Sequence, residues 1–215
     1  MSIFGGFDRI RIINLPSRPD RRREMMSELR RIGLNNDPRV DFVDGVLVND
    51  MAPFRALGEK GVFLAHLNIL KDAEKAGGSV LILEDDVDFV PGAQKWHRLP
   101  DTDISYGGYM AADPADLANS DIIGAHCMGF SSRAVLALVP FLEQLLQHES
   151  PPPIDGAYVW FRRANPNFTT SFADPVIAVQ RPSRSDIAAL KAFDRLPILR
   201  EAVAAARRLK RKLQR

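Results

Sequence analysis

The chain has 215 residues, 46% hydrophobic and 26% charged, the proportions of a globular protein rather than a disordered one. At that length one domain buries about 70% of the surface of its unfolded chain, so folding requires neither disulfides nor a structural metal, and the single Cys127 excludes an internal disulfide and suits a reducing compartment. The formal charge of +2 is uneven: residues 194–215 carry eight Lys or Arg against two Asp or Glu, which leaves 21 basic and 25 acidic side chains in the rest, a mildly acidic body that speaks against nucleic-acid binding.

Residues 9–15 (RIRIINL) alternate and are rich in Ile, the pattern of a first strand. Pro19 then stands at the first position of a helix over 20–32, with Met25, Met26, Leu29 and Ile32 as its apolar stripe and Gly33 as its stop. Residues 39–43 predict a short strand. The run 59–76 predicts a helix with Val62, Phe63, His66, Leu67, Leu70 and Ala73 on one face. Gly77-Gly78 ends it, and 79–83 (SVLIL) reads as a strand covered on both faces, as in parallel sheets. Strands follow at 104–106 and 122–130, then a helix over 133–147 capped by Ser131 or Ser132, a short helix at 155–162 and a strand near 174–179. Strands alternating with helices make the class α/β with a mostly parallel sheet. The longest apolar run, 134–142, has nine residues and contains Pro140, whereas a bilayer span needs about 20. No basic segment precedes an apolar stretch at the start, so neither a transmembrane helix nor a signal peptide is expected, and the location is read as cytoplasmic.

The chemistry concentrates in 79–89, SVLILEDDVDF, where an apolar strand runs into Glu84, Asp85 and Asp86, with Asp88 two residues on. Ligands of α/β sheets bind at the carboxyl ends of strands. Adjacent carboxylates repel unless a cation joins them, and a hard divalent ion completed by substrate phosphates is the natural one. Strand alternation would point Glu84 and Asp86 one way and Asp85 the other. The bland alternative is a solvated acidic turn.

Five blocks in order, RIRIINLPSRPDRRREMMSEL, GEKGVFLAHLNILKDA, SVLILEDDVDF, IIGAHCMGFSSRAV and PIDGAYVW followed by PVIAVQRPSRSDI, resemble glycosyltransferase family 25, whose members include bacterial lipopolysaccharide sugar transferases and collagen galactosyltransferases. The family's usual Cys and Ser before the central His are here Val62 and Ala65. The resemblance implies a GT-A-type (Rossmann-like) fold, a UDP-sugar donor, a divalent metal (Mn2+, with Mg2+ as the other choice), inversion at the anomeric carbon, and a lipopolysaccharide or other surface-glycan acceptor. It places Glu84, Asp85 and Asp86 at the acidic metal and donor motif: Asp86 as metal ligand, Glu84 as a second ligand or, with Asp85, on ribose or sugar hydroxyls. Asn14, Arg18 and Arg21 fall in the block after the first strand, where an Arg fork fits a diphosphate; the alternative is an ordinary basic helix face. An inverting displacement needs a base for the acceptor hydroxyl, and Asp155, opening a helix after the proline run, is the candidate, with helix capping as the other reading. His66 and Cys127 read as core residues, His126 as a member of a buried strand, and Ser185-Asp186 as a pair able to close over the donor.

Two other functions compete: a non-catalytic nucleotide-sugar or glycan binding module with the same fold, and a metal-dependent nucleotidyltransferase. The chain is expected to divide into a transferase domain, 1–192, and a basic tail, 193–215. In the tail Leu199, Val203, Ala206, Leu209 and Leu213 form a narrow stripe opposite Arg200, Arg207, Arg211 and Arg215, which predicts a C-terminal amphipathic helix that binds an anionic membrane surface peripherally.

Overall fold

The structure, a computed structural model, describes residues 2–181; the basic tail and the pair at 185–186 lie outside the described residues. In chain order the elements are β1 (Arg9–Asn14), α1 (Pro19–Ile32), β2 (Val40–Asp44), α2 (Leu57–Ala76), β3 (Val80–Glu84), β4 (Val87–Phe89), β5 (Ile104–Ala111), β6 (Ile122–Phe130), α3 (Ser132–Leu145), α4 (Ile154–Ala164), β7 (Thr170–Phe172) and β8 (Ala178–Gln180). Six strands form one sheet in the order β2-β1-β3-β6-β5-β7. β6 is antiparallel to both its neighbours, and every other pairing is parallel. β4 and β8 make a separate antiparallel ribbon.

The alternation of β3 shows why its apolar run is continuous. Val80 and Ile82 pack with Phe63, Leu67 and Leu70 of α2, Leu138 and Leu142 of α3, and Tyr158 and Phe161 of α4. Leu81 and Leu83 face the other way, onto Met25, Leu29 and Ile32 of α1, Phe4, Phe7 and the β4–β8 ribbon. Both faces of the sheet are therefore covered, and each fully buried Leu, Ile or Phe contributes about 1.5–3 kcal/mol relative to exposure.

Helix α1 starts at Pro19 without a side-chain cap, as Pro's fixed φ and missing N–H allow. It stops at Gly33, whose φ of 85° suits a residue without Cβ. Met26, expected in the apolar stripe, is 45% exposed; successive helical residues are turned by about 100°, so Met25 faces the core and Met26 does not. Ser131 caps α3, accepting the Ala134 N–H at 3.0 Å.

Three expectations need correction. β5 runs on past the expected end at Tyr106 to Ala111, through Gly107-Gly108. Those glycines are there for space: a methyl at Gly107 would meet the Cys127 sulfur, and one at Gly108 the His126 ring and the Ala178 carbonyl. The strand expected near 174–179 shortens to β8, which starts only after Pro175, since proline offers no N–H to a ladder; β7 precedes the expected range altogether. The third departure is a strand not expected at all, β4, which the acidic content of 84–88 conceals.

Asp103, just before β5, is 7% exposed and ties three segments together. It accepts from the Ser131 hydroxyl at 2.8 Å, Arg133 Nη1 at 2.7 Å and the Thr169 N–H at 3.1 Å. Asp103→Ala is expected to lower stability by about 3 kcal/mol, because it removes charge-assisted bonds and strands their donors. The urea midpoint measures this; an unchanged midpoint would rule the clasp out.

Candidate functional site

β1 and β3 are parallel neighbours, with Ile13 in register with Glu84, so their carboxyl ends, Asn14 and Glu84-Asp85-Asp86, share one edge of the sheet. β3 ends at Glu84, and Asp85-Asp86 is a turn. The expected alternation of side chains therefore fails beyond Glu84, because it holds only while the backbone stays extended. Instead, Arg21 Nη1 from the first turns of α1 reaches both aspartates, 3.0 Å from Asp85 Oδ1 and 3.3 Å from Asp86 Oδ2. Asn14 Nδ2 donates to Asp85 Oδ2 at 2.6 Å and to the Arg18 carbonyl at 3.2 Å. Asp85 and Asp86 are buried, 6% and 7% exposed, and Arg21 is the protein's own cation among them.

Arg18 behaves differently from Arg21. Its guanidinium turns onto exposed Asp20, at 2.8 Å, and holds that carboxyl below the usual carboxylate range. Its contribution at the edge of the sheet is the backbone carbonyl that anchors Asn14. Asp88 lies on β4 opposite Val179, and its charge is among those felt by Arg31 at the end of α1.

Glu84 is held on one side and approached on the other. Gln180 Nε2 donates to Oε2 at 3.1 Å, and His66 Nε2 lies 4.0 Å from Oε1. Burial, with the charges of Asp86, Asp85 and Asp155, pushes its carboxyl up to about 8. His66, fully buried on α2, has its Nδ1 2.9 Å from the Tyr158 hydroxyl, and burial pushes it down to about 3, so the ring is neutral. His126 is also neutral, pushed down to about 4 by burial, and its Nε2 lies 3.2 Å from the Ala178 carbonyl. Burial raises the Cys127 thiol, which is packing rather than a nucleophile.

Asp155 sits in the first turn of α4, but the cap position is Pro153 and no side chain caps the helix there. Asp155 Oδ1 accepts the N–H of Gly156 at 2.8 Å, and Oδ2 accepts that of Gly124 at 3.0 Å. It thus links the start of α4 to β6 while its charge reaches Glu84. A carboxylate in a first turn is favoured by the helix dipole.

Among the described residues, no three His, Cys, Asp or Glu side chains form a ready-made cation cage. The donors at the turn are carboxylate oxygens, which suit Mn2+ or Mg2+, and the accumulated negative charge that raises Glu84 is what a cation would relieve. The group fits an ion completed by substrate phosphates and water. Gln180 and Tyr158 escape the sequence reading: Gln180 reaches Glu84 from β8, and Tyr158 on α4 stands behind it, against His66.

No protein-family model matches the chain. A human (Homo sapiens) protein, "Inactive glycosyltransferase 25 family member 3", is 36% identical over 103 residues, covering 39% of this chain and 17% of that protein. A bovine (Bos taurus) protein, "Probable inactive glycosyltransferase 25 family member 3", is 35% identical over 103 residues with the same coverage. The match therefore spans 17% of the length of these relatives. Among solved structures, a glycosyltransferase involved in the glycosylation of the major capsid of PBCV-1 superposes with a TM-score of 0.53 at 14% identity, over 83% of this chain and 96% of that one. That likeness is one of fold, and the described body has the α/β architecture of GT-A-type transferases.

Proposed function

We propose that this chain, which resembles glycosyltransferase family 25 in sequence, is an inverting hexosyltransferase that moves galactose or glucose from a UDP-sugar to a lipopolysaccharide or other surface-glycan acceptor. The observation that carries this reading is the gathering of Asn14, Arg21, Glu84, Asp85 and Asp86 at the carboxyl ends of β1 and β3, with Asp155 close enough to act on Glu84 electrostatically. Asp86 and Glu84 would hold a divalent cation, Mn2+ or Mg2+. When bound, it offsets the negative charge that builds on the departing diphosphate. Arg21 keeps Asp85 and Asp86 in place, Asn14 orients Asp85, and Arg21 supplies positive charge at the donor end. Asp85, or Glu84 where it does not hold the ion, accepts from ribose or sugar hydroxyls. Arg18 completes the edge through its carbonyl, and its exposed side chain can leave Asp20 for a phosphate. Asp155 takes the proton of the acceptor hydroxyl.

The experiment is release of UDP from UDP-galactose and UDP-glucose with manganese, with and without a glycan acceptor. UDP release that depends on the acceptor supports transfer; release without one is hydrolysis of the donor, with the sugar passing to water. Release of pyrophosphate from a nucleoside triphosphate would indicate nucleotidyl transfer instead. Binding without turnover would favour a non-catalytic module, a reading that the word "inactive" in the names of the relatives keeps in view.

Asp155→Asn should leave UDP binding intact and reduce turnover by about 100-fold or more, since a lost base weakens the transition state rather than the ground state. Calorimetry with UDP and manganese beside a turnover assay checks it; unchanged turnover would leave Asp155 only the tie to Gly124 and Gly156.

Division into a transferase domain, 1–192, and a membrane-binding tail, 193–215, belongs to the same proposal. Among the described residues no helix is long and apolar enough to cross a membrane. Seven Lys or Arg in 200–215, at about 1 kcal/mol each near an anionic leaflet, would hold the protein at the surface where a lipid-linked acceptor lies. The full chain should sediment with anionic vesicles at low salt, and a version ending at Pro197 should not. Equal pelleting, or binding insensitive to salt, would overturn this.

A further inference from the structure

Behind Glu84 lies a line of buried polar groups that the reaction does not touch directly. His66 and Tyr158 are both fully buried, one on α2 and the other on α4, and the His66 Nδ1 to Tyr158 hydroxyl contact of 2.9 Å bridges the two helices. Among the described residues this is the only hydrogen bond recorded for the Tyr158 hydroxyl. A buried hydroxyl needs an acceptor for its proton, and Nδ1 accepts only if the ring proton is on the other nitrogen. The neutral ring is thereby set as the Nε2–H tautomer. That nitrogen is buried with no hydrogen-bond partner, and 4.0 Å from it is Glu84 Oε1. The separation is too long for a hydrogen bond; a shift of the carboxyl by about 1 Å closes it to normal length. The other oxygen of Glu84 is already held by Gln180.

We propose that His66 is a positioning residue: its Nε2–H, fixed by the Tyr158 hydroxyl, orients Glu84 from inside the protein while Gln180 holds it from the ribbon. The inference rests on the reading of Glu84 as a donor-side carboxylate. Fully enclosed, His66 does not meet substrate. Its effect passes through Glu84, as a partner behind a ligand sets that ligand's direction. Val80 and Ile82 of β3 and Phe63 and Leu67 of α2 share the same apolar cluster, so bulk water does not compete for the Nε2 proton.

The test has two parts. In nitrogen-15 spectra of the full chain at alkaline pH, where Glu84 is ionised, His66 should show a protonated Nε2 and an accepting Nδ1, and Tyr158→Phe, which removes only the hydroxyl, should abolish that single tautomer. The opposite tautomer in the parental chain would turn a lone pair toward Glu84 and overturn the proposal whatever the enzyme does. The second part compares His66→Gln, whose amide nitrogen replaces Nε2–H, with His66→Asn, whose amide replaces Nδ1. His66→Asn should lower kcat/KM for the UDP-sugar by about tenfold or more and His66→Gln should stay within about threefold of the parent, the scale seen for partners behind active-site ligands. The two should differ in kcat/KM beyond any difference in urea midpoint. Equal kcat/KM losses that track stability would make His66 a packing residue and overturn the proposal. A parental chain that turns over no UDP-sugar defeats the transferase reading instead, and the tautomer then decides the positioning of Glu84 alone.

Discussion

Asp86→Ala should lower UDP-sugar turnover by at least about 100-fold, the scale of losing one electrostatic contact to a developing charge, while the protein stays folded. Asp86 lies in the turn after β3, outside the ladder, so its removal does not unpair the sheet. Arg21 retains Asp85 at 3.0 Å, and Asn14 retains it at 2.6 Å. Relief of the repulsion on Glu84, to which Asp86 contributes the largest charge effect, works toward stability. Activity and folding are thus expected to separate at this position. Steady-state kinetics with manganese, beside a urea titration, measures both. Turnover at the parental rate would remove Asp86 from the site, and unfolding would make it structural.

Arg21→Met should have the opposite signature, a loss of folding stability. Arg21 is the cation that meets both Asp85 and Asp86, with side chains 17%, 8% and 10% exposed respectively. Removing one partner from a largely buried ionic group costs about 3–5 kcal/mol, because the remaining charges keep their desolvation without its attraction. With the side chains still partly reached by water, the lower end of about 3 kcal/mol is expected. If Asp86 and Glu84 take up a divalent ion, manganese should raise the urea midpoint of the variant more than that of the parent, since a ligand selective for the native state stabilises it. An unchanged midpoint in Arg21→Met would reduce the Arg21 contacts to surface pairing.

The separation of Arg18 from Arg21 shows where sequence reasoning stops. Both follow the first strand, and both fit the role of a donor-binding arginine. They are three residues apart on a helix start, yet one turns inward to Asp85 and the other outward to Asp20. No local pattern distinguishes them, because the partner that decides lies 64 residues away.

The features that follow from sequence alone are local and periodic. The apolar run of β3, the Pro19 start and Gly33 stop of α1, a serine cap of α3 at 131 or 132 and the placement of three carboxylates at the end of a strand all follow from neighbouring residues; the structure has each of them and puts the cap at Ser131. Tertiary structure decided the rest. β4 exists because it pairs with β8, about 90 residues further on, and the same pairing places Gln180 on Glu84. The sequence suggests a strand only to Tyr106, but Gly107 and Gly108 are the clearance that lets β5 continue past Cys127 and His126. His66 reads as one more apolar-face residue of α2; the fold sets its Nδ1 2.9 Å from the Tyr158 hydroxyl, 92 residues away. Strand and helix signals live in the period of the chain, whereas the state of a buried polar group depends on whichever remote atom the fold brings within 3 Å.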